Sequence, residues 1–245
     1  MHGSTAYVLL VIFAATLIRS ILGFGEALVA VPLLALFLPV TLAAPLAVLV
    51  SITVALVIVL QDWRHVDFRS AGWLVAATVA GIPLGVLLLA YGNQRLVKAA
   101  LGALIILFAL NALTRRKVRE LKGDHPWLLS LCGFFAGVLG GAYGMNGPPL
   151  AIYGALRRWS AQRFRATLQG YFLPASVLGM AGYWFAGLWT SQVTHYFVLC
   201  LPLALAAILL GGMINRRLHP DRFTLYVHAG LVVIGATLMV QAFRS

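Results

Sequence analysis

G-F-G-E-A-L-V-A-V-P, from Gly23 to Pro32, and G-G-A-Y-G-M-N-G-P-P-L-A-I-Y, from Gly140 to Tyr153, decide how this chain is read. Each lies inside an apolar stretch too long for one soluble helix, and each is crowded with residues that stop helices. Glycine does so through backbone freedom, proline through its missing N–H and its ring. Short, Gly/Pro-broken apolar segments at corresponding places in two halves are a sequence pointer to the substrate site of a secondary transporter.

Working outward, the 245 residues are 62% hydrophobic and 10% charged, with a mean hydropathy of +0.95. Soluble domains run at about 45–50% apolar and about 25% charged, so the composition points to a polytopic helical membrane protein. A lone signal peptide does not account for apolar runs that fill the whole chain. The runs are continuous rather than alternating, which excludes a β-barrel. The net charge of +12 sits in short clusters between apolar runs, the pattern of loops facing anionic lipid, not of a nucleic-acid partner. Cys132 and Cys200 lie within apolar runs without CxxC spacing and read as packing residues.

Six runs, 41–60, 71–90, 96–113, 168–187, 195–214 and 224–243, approach the roughly 20 residues a bilayer needs. Regions 6–39 and 127–156 are each too long for one span and hold the broken motifs, so each is read as two short helices meeting at the break. If each region turns back on itself, fourteen basic residues share one side: Arg64 and Arg69; Arg115, Arg116, Lys117, Arg119 and Lys122; Arg157, Arg158, Arg163 and Arg165; Arg216, Arg217 and Arg222. Only Arg95, Lys98 and Arg244 fall opposite. A single crossing would split them eight against nine, so the positive-inside rule selects the turned-back arrangement, with both termini outside. Five segments per half is an odd number and gives the halves opposite orientation. The expected layout is an N-terminal repeat over 1–113, a basic cytoplasmic linker over 114–126 and a C-terminal repeat over 127–245. Setting Gly23 on Gly144 also brings Ala30 onto Ala151.

Glu26 is the one acidic residue within an apolar segment. An intramembrane carboxylate by default faces the interior and marks a pathway or proton relay. At the start of a helix following Gly25 it is equally a carboxylate stabilised by the helix dipole, and both readings stand. Arg19, seven residues earlier, approaches Glu26 if the chain reverses at Gly23–Gly25. It reads as an attractor for an anionic substrate, as half of a structural ion pair, or as a snorkelling cation. Asn146 stands between Gly144 and Gly147, ahead of Pro148 and Pro149, which suit the first turn of a helix. A helix starting there points its positive end at Asn146 and Gly147, and such ends bind anions; a packing kink is the plainer alternative. Gln169 is a lesser candidate, since glutamine near a membrane helix end commonly bonds helix to helix. No metal-ligand spacing, nucleophile elbow or phosphate loop occurs, so neither an enzyme nor a cofactor is expected.

At these motifs the chain resembles the TauE/SafE family of sulfite exporters and organosulfur-anion permeases. The resemblance is carried by Arg19 through G-F-G-E-A-L-V-A-V-P-L-L, by G-A-Y-G-M-N-G-P-P-L-A-I-Y-G, and by F-R-A-T-L-Q-G-Y-F from Phe164 to Phe172. The family pattern favours glycine where Glu26, Ala27, Asn146 and Pro148 stand here. The resemblance implies movement of small sulfur-containing anions, such as sulfite, sulfoacetate or related sulfonates, across a bacterial inner membrane.

The sequence therefore predicts an all-α transporter of eight to ten membrane segments, built of two inverted repeats, each with a Gly/Pro-broken helical hairpin. Its substrate site is expected at Arg19, Gly23, Gly25, Asn146, Gly147 and Gln169, with Glu26 coupling transport to protons. Its partners are a small anion, protons and the lipid bilayer, and homo-oligomerisation is compatible with it. A passive anion channel and a non-transporting scaffold or accessory subunit are the rival readings.

Overall fold

A computed structural model describes residues 2–62, 68–113, 126–157, 161–215 and 220–244. Most of the linker, 114–125, and Arg64, Arg158, Arg216 and Arg217 lie outside the described residues, as do the side chains of Arg69, Arg163, Arg165 and Arg222. Among the described residues all regular structure is helical. The first half holds α1 (His2–Leu22), α2 (Glu26–Ala35), α3 (Val40–Asp62), α4 (Phe68–Tyr91) and α5 (Gln94–Leu113). The second holds α6 (Pro126–Tyr143), α7 (Gly147–Leu156), α8 (Ala161–Phe185), α9 (Ser191–Asn215) and α10 (Pro220–Arg244).

Both long regions divide at their motifs, into α1 with α2 and α6 with α7. The arms are unequal, which corrects the expectation of two short helices. α1 has 21 residues and α6 has 18, whereas α2 and α7 have 10 each. Ten residues rise about 15 Å, half the hydrocarbon thickness. α2 stops where Leu36–Pro39 turns the chain into α3, the residue before proline being held out of helical geometry. Among the described residues, five helices are long and apolar enough to cross a membrane: Val40–Leu60, Ala71–Tyr91, Gln94–Asn111, Pro126–Tyr143 and Ser191–Ile214. Runs 168–187 and 224–243 fall within α8 and α10, apart from the last two residues of the former.

Packing follows from which helices can approach. α3 packs on α8, α1 on α9, α4 on α6 and α5 on α10. The span of α3 is 72% buried, that of α9 only 28%, so α3 is central and α9 peripheral. Leu10, Leu60, Trp73, Leu87, Leu107 and Leu209 are exposed, on an apolar surface suited to acyl chains. Between α4 and α6 the contact is backbone to backbone. A Cβ on Gly81 would strike the Phe134 carbonyl, and one on Gly85 the Val138 carbonyl. Reciprocally, Gly137 faces the Thr78 carbonyl and Gly141 the Ile82 carbonyl. This is the small-xxx-small packing by which membrane helices associate where lipid offers no hydrophobic drive.

Four helix boundaries around the two breaks share one register. Leu22 and Tyr143, Glu26 and Gly147, Ala35 and Leu156, and Val40 and Ala161 are each 121 positions apart. That is the offset that sets Gly23 on Gly144.

Candidate functional site

Each break is made by a glycine that ends one helix in the left-handed region. Gly23 has φ 84° and Gly144 φ 69°. The Gly23 N–H donates to the Arg19 carbonyl at 2.6 Å, and the Gly144 N–H to the Gly140 carbonyl at 2.8 Å. Each thus closes the last turn of its helix as a C′ residue does. Gly25, at φ 98°, then caps α2 without any side-chain cap bond.

The two reversals converge. One cavity of about 30 Å³ is lined by the first turn of α2, by Gly144 to Pro148 at the start of α7, and by Arg19, Ser51 and Ser176. Initial N–H groups of a helix have no intrahelical partner and carry the positive end of its dipole, so two such ends share this space. Two larger clefts, one between α4 and α8 and one beside α7, are apolar and have no charged residue in their walls.

Arg19 and Glu26 are 2% exposed and paired. Arg19 Nη1 donates to Glu26 Oε2 at 2.6 Å and to Ser51 Oγ at 2.6 Å; Nη2 donates to Gln169 Oε1 at 2.8 Å. Thr16 Oγ1 donates to Glu26 Oε1 at 2.8 Å. The guanidinium lies 5.2 Å from the centre of the Phe172 ring, within cation–π range. Of its donors, Nε is buried and has no hydrogen-bond partner among the described residues. A buried donor without an acceptor is costly, and here it belongs to a cation beside an open space.

Of the residues singled out from sequence, Arg19, Gly25, Glu26, Asn146 and Gly147 line this cavity. Gly23 and Gln169 stand just behind it. Gln169 Nε2 donates to the Gly23 carbonyl at 2.7 Å while its Oε1 receives Arg19, so one amide from the second half holds both the cation and the first break. Asn146 is engaged elsewhere. Its amide hydrogen-bonds the Tyr171 hydroxyl, which sits 2.8 Å from Thr78 Oγ1, itself a donor to the Gly133 carbonyl at 2.8 Å. Thr78 has one proton and gives it to Gly133, so Tyr171 donates to Thr78 and Asn146 donates to Tyr171. That chain ties the start of α7 to α8, α4 and α6. Thr16, Ser51, Phe172 and Ser176 were missed in the sequence, being ordinary residues within apolar helices.

Asn146 fits because Gly140 leaves it room. A Cβ on Gly140 would fall on Asn146 Oδ1 and within 2.7 Å of its Cγ. Gly140→Ala is therefore expected to displace the amide, break the chain to Tyr171 and cost about 1–3 kcal/mol by overpacking. Adding Asn146→Ala should return part of that stability. Thermal denaturation of the two variants in detergent checks this, and equal losses in both would show that the amide is not the obstacle.

The chain has known relatives. The sequence pattern of the family described as sulfite exporter TauE/SafE matches residues 8–238. A protein of Cupriavidus necator described as "Probable sulfite/organosulfonate exporter TauE" is 25% identical over 238 residues, covering 95% of this chain and 92% of that protein. No solved structure matches it at a significant level. Since the family pattern spans both breaks and nearly the whole chain, the chain belongs to the TauE/SafE family.

Proposed function

We propose that this protein is a secondary transporter that moves a small sulfur-containing anion, sulfite, sulfoacetate or a related sulfonate, outward across the bacterial inner membrane with proton coupling. The observation that carries the reading is a fully buried arginine, with one donor unsatisfied, where two helix N-termini converge. Such a place attracts an anion with several acceptor oxygens. In the present arrangement the Glu26 carboxylate takes the counter-ion position on Arg19. Protonating Glu26 removes that competitor, and a substrate anion then restores the charge balance of the buried guanidinium.

The linkage ties the charge carried to that of the anion, a monoanion bound with a protonated Glu26 leaving the site neutral. With Glu26 ionised and no substrate, the pair is neutral, which favours return of the empty carrier. Bound dianion with a protonated Glu26 leaves the site one charge negative, so outward passage is assisted by a negative-inside potential. Arg19, Gly23, Gly25, Asn146, Gly147 and Gln169 belong to this site in the proposal, Asn146 and Gln169 acting through Tyr171 and Arg19.

The proposed scaffold is a pair of inverted repeats, 1–113 and 127–245, joined by a cytoplasmic linker, with both termini outside. The common offset of 121 residues supports it, and so does the pairing of helices. Exchanging each helix with the one five places away converts the α1–α9 contact into α6–α4, and leaves α3–α8 and α5–α10 unchanged. Rocking of one repeat-derived bundle against the other would then open the site to either side.

The test is efflux of sulfite and sulfoacetate from loaded proteoliposomes, above the rate of protein-free vesicles, with and without a pH gradient. Saturable flux that rises when the lumen is acidified is expected. Glu26→Gln, which cannot titrate, should keep measurable flux but lose that dependence. A Glu26→Gln protein with unaltered pH dependence would remove the coupling role, and non-saturable flux would make the protein a channel.

A further inference from the structure

The wall facing Arg19 holds two hydroxyls that neither the fold nor the ion pair uses fully. Ser51 on α3 and Ser176 on α8 are 7% and 5% exposed and both line the cavity. Their Oγ atoms are 3.5 Å apart, beyond the 2.5–3.0 Å of a strong O–H···O bond. Ser51 Oγ accepts from Arg19 Nη1, so its own proton is left for another acceptor. Ser176 has the 3.5 Å contact as its one side-chain hydrogen bond among the described residues. Two hydroxyl protons and Arg19 Nε–H thus stand around one small space without a good acceptor. A buried surplus of donors, drawn from α1, α3 and α8, is complementary to an anion bearing several oxygens.

The remaining wall limits what such an anion can carry. Phe24, Leu28, Met145 and Phe172 line it with apolar groups. Its volume of about 30 Å³ is on the order of one water molecule. Swinging the Glu26 carboxylate away would add room on the scale of that one carboxylate, which suits a compact group. Arg19 is the one basic side chain in the lining. A second anionic end, such as the carboxylate of sulfoacetate, would find no second basic side chain in that lining and would lie beside Phe24, Met145 or Phe172, which disfavours it.

We infer that Ser51 and Ser176 are substrate-ligating hydroxyls, and that the site takes a compact three-oxygen anion of the size of sulfite in preference to a sulfonate with an organic tail. This rests on the anion-carrier reading above and narrows it. α3 and α8 supply one hydroxyl each and pack on one another, so the two ligands come from both halves, and their separation depends on how the halves sit.

The experiment measures initial rates of sulfite, methanesulfonate and sulfoacetate transport by the full chain in proteoliposomes. The wild type is expected to show a KM for sulfite at least ten-fold below that for sulfoacetate. Ser176→Ala, which does not touch the ion pair, should raise the sulfite KM about ten-fold, the scale of one lost hydrogen bond to a charged group. Its thermal stability in detergent should stay near wild type. Ser176→Thr, which keeps the hydroxyl, should recover most of the affinity, and Ser51→Ala should act like Ser176→Ala. Saturable sulfite flux with unchanged KM in both alanine variants would overturn the serine assignment alone. Equal KM for sulfite and sulfoacetate would overturn the size limit. No saturable flux of any of the three by folded wild-type protein would remove the carrier reading, and this inference with it.

Discussion

Arg19→Met is expected to abolish anion flux and to destabilise the protein by about 3–5 kcal/mol, the scale for removing one partner of a buried ion pair. The cost arises on the other side of the pair. Glu26 is 2% exposed, and without Arg19 its carboxylate keeps only the Thr16 hydroxyl as a donor among the side-chain bonds described. Combining Arg19→Met with Glu26→Met removes both charges and should recover most of the stability, since apolar replacement of a whole buried pair is commonly neutral or favourable. Flux should not recover, because the cation proposed to receive the anion is gone. Glu26→Gln alone leaves Arg19 charged, so its melting temperature should rise with added sulfite more than that of the wild type, by the usual mass-action linkage. Denaturation in detergent and flux in vesicles decide it. A double variant that transports, or an Arg19→Met protein as stable as the wild type, would show that the pair is neither site nor scaffold.

How much of this was legible in the sequence depends on whether a residue announces itself locally. Gly23, Gly25 and Gly144 did, because Gly/Pro clusters inside apolar runs have few physical uses other than breaking a helix. Arg19 and Glu26 did, because charge within an apolar run is rare enough to mark an interior position, and a reversal at Gly23–Gly25 brings them together. Ser51 and Ser176 did not. A single serine in a membrane helix is common, and only the crossing of α3 with α8, 125 residues apart in sequence, sets them opposite one another. Gln169 carried a weak local signal, and its contacts with Arg19 and Gly23 span about 150 residues. Gly81, Gly85, Gly133, Gly137 and Gly141 drew no notice in the sequence, because their four-residue spacing says nothing of the partner. That α4 meets α6, rather than α1 meeting α6, is a property of the assembled halves.

The polarity of the site also differs between halves in a way that only the common register exposes. At the 121-residue offset, Arg19 corresponds to Gly140 and Gly25 to Asn146. Each half thus has one large polar side chain and one glycine at these two positions, but in opposite order. The first half presents a cation from the end of the long arm, and its capping glycine leaves the start of α2 open. The second presents a neutral amide from the cap of the short arm and turns it into the chain to Tyr171. A site with one cation, two helix N-termini and one neutral anchor suits a small anion better than either half duplicated would, since two buried arginines would repel one another at short range.

The second large effect belongs to the α4–α6 seam. Gly137→Val and Gly85→Val are each expected to cost about 3 kcal/mol or more, the upper end for overpacking, because what the new atoms meet is backbone. A Cβ at Gly137 is directed onto the Thr78 carbonyl and lies 3.1 Å from Gly81 Cα; one at Gly85 is directed onto the Val138 carbonyl and lies 2.7 Å from the Ala142 amide nitrogen. No rotamer relieves such contacts, so the helices must separate. Gly72→Ala on the same helix α4 is the control. Nothing lies within 4 Å of its Cβ, and a helical alanine gains about 0.5–1 kcal/mol over glycine, so that variant should be as stable as the wild type or more so. Separation of the seam reaches the site through Thr78, which donates to Gly133 on α6 and receives Tyr171. Flux should therefore fall in the seam variants even where folded protein is recovered, with the Asn146–Tyr171–Thr78 chain as the link. If Gly137→Val matched Gly72→Ala in both stability and flux, α4 and α6 would not be in backbone contact in the membrane.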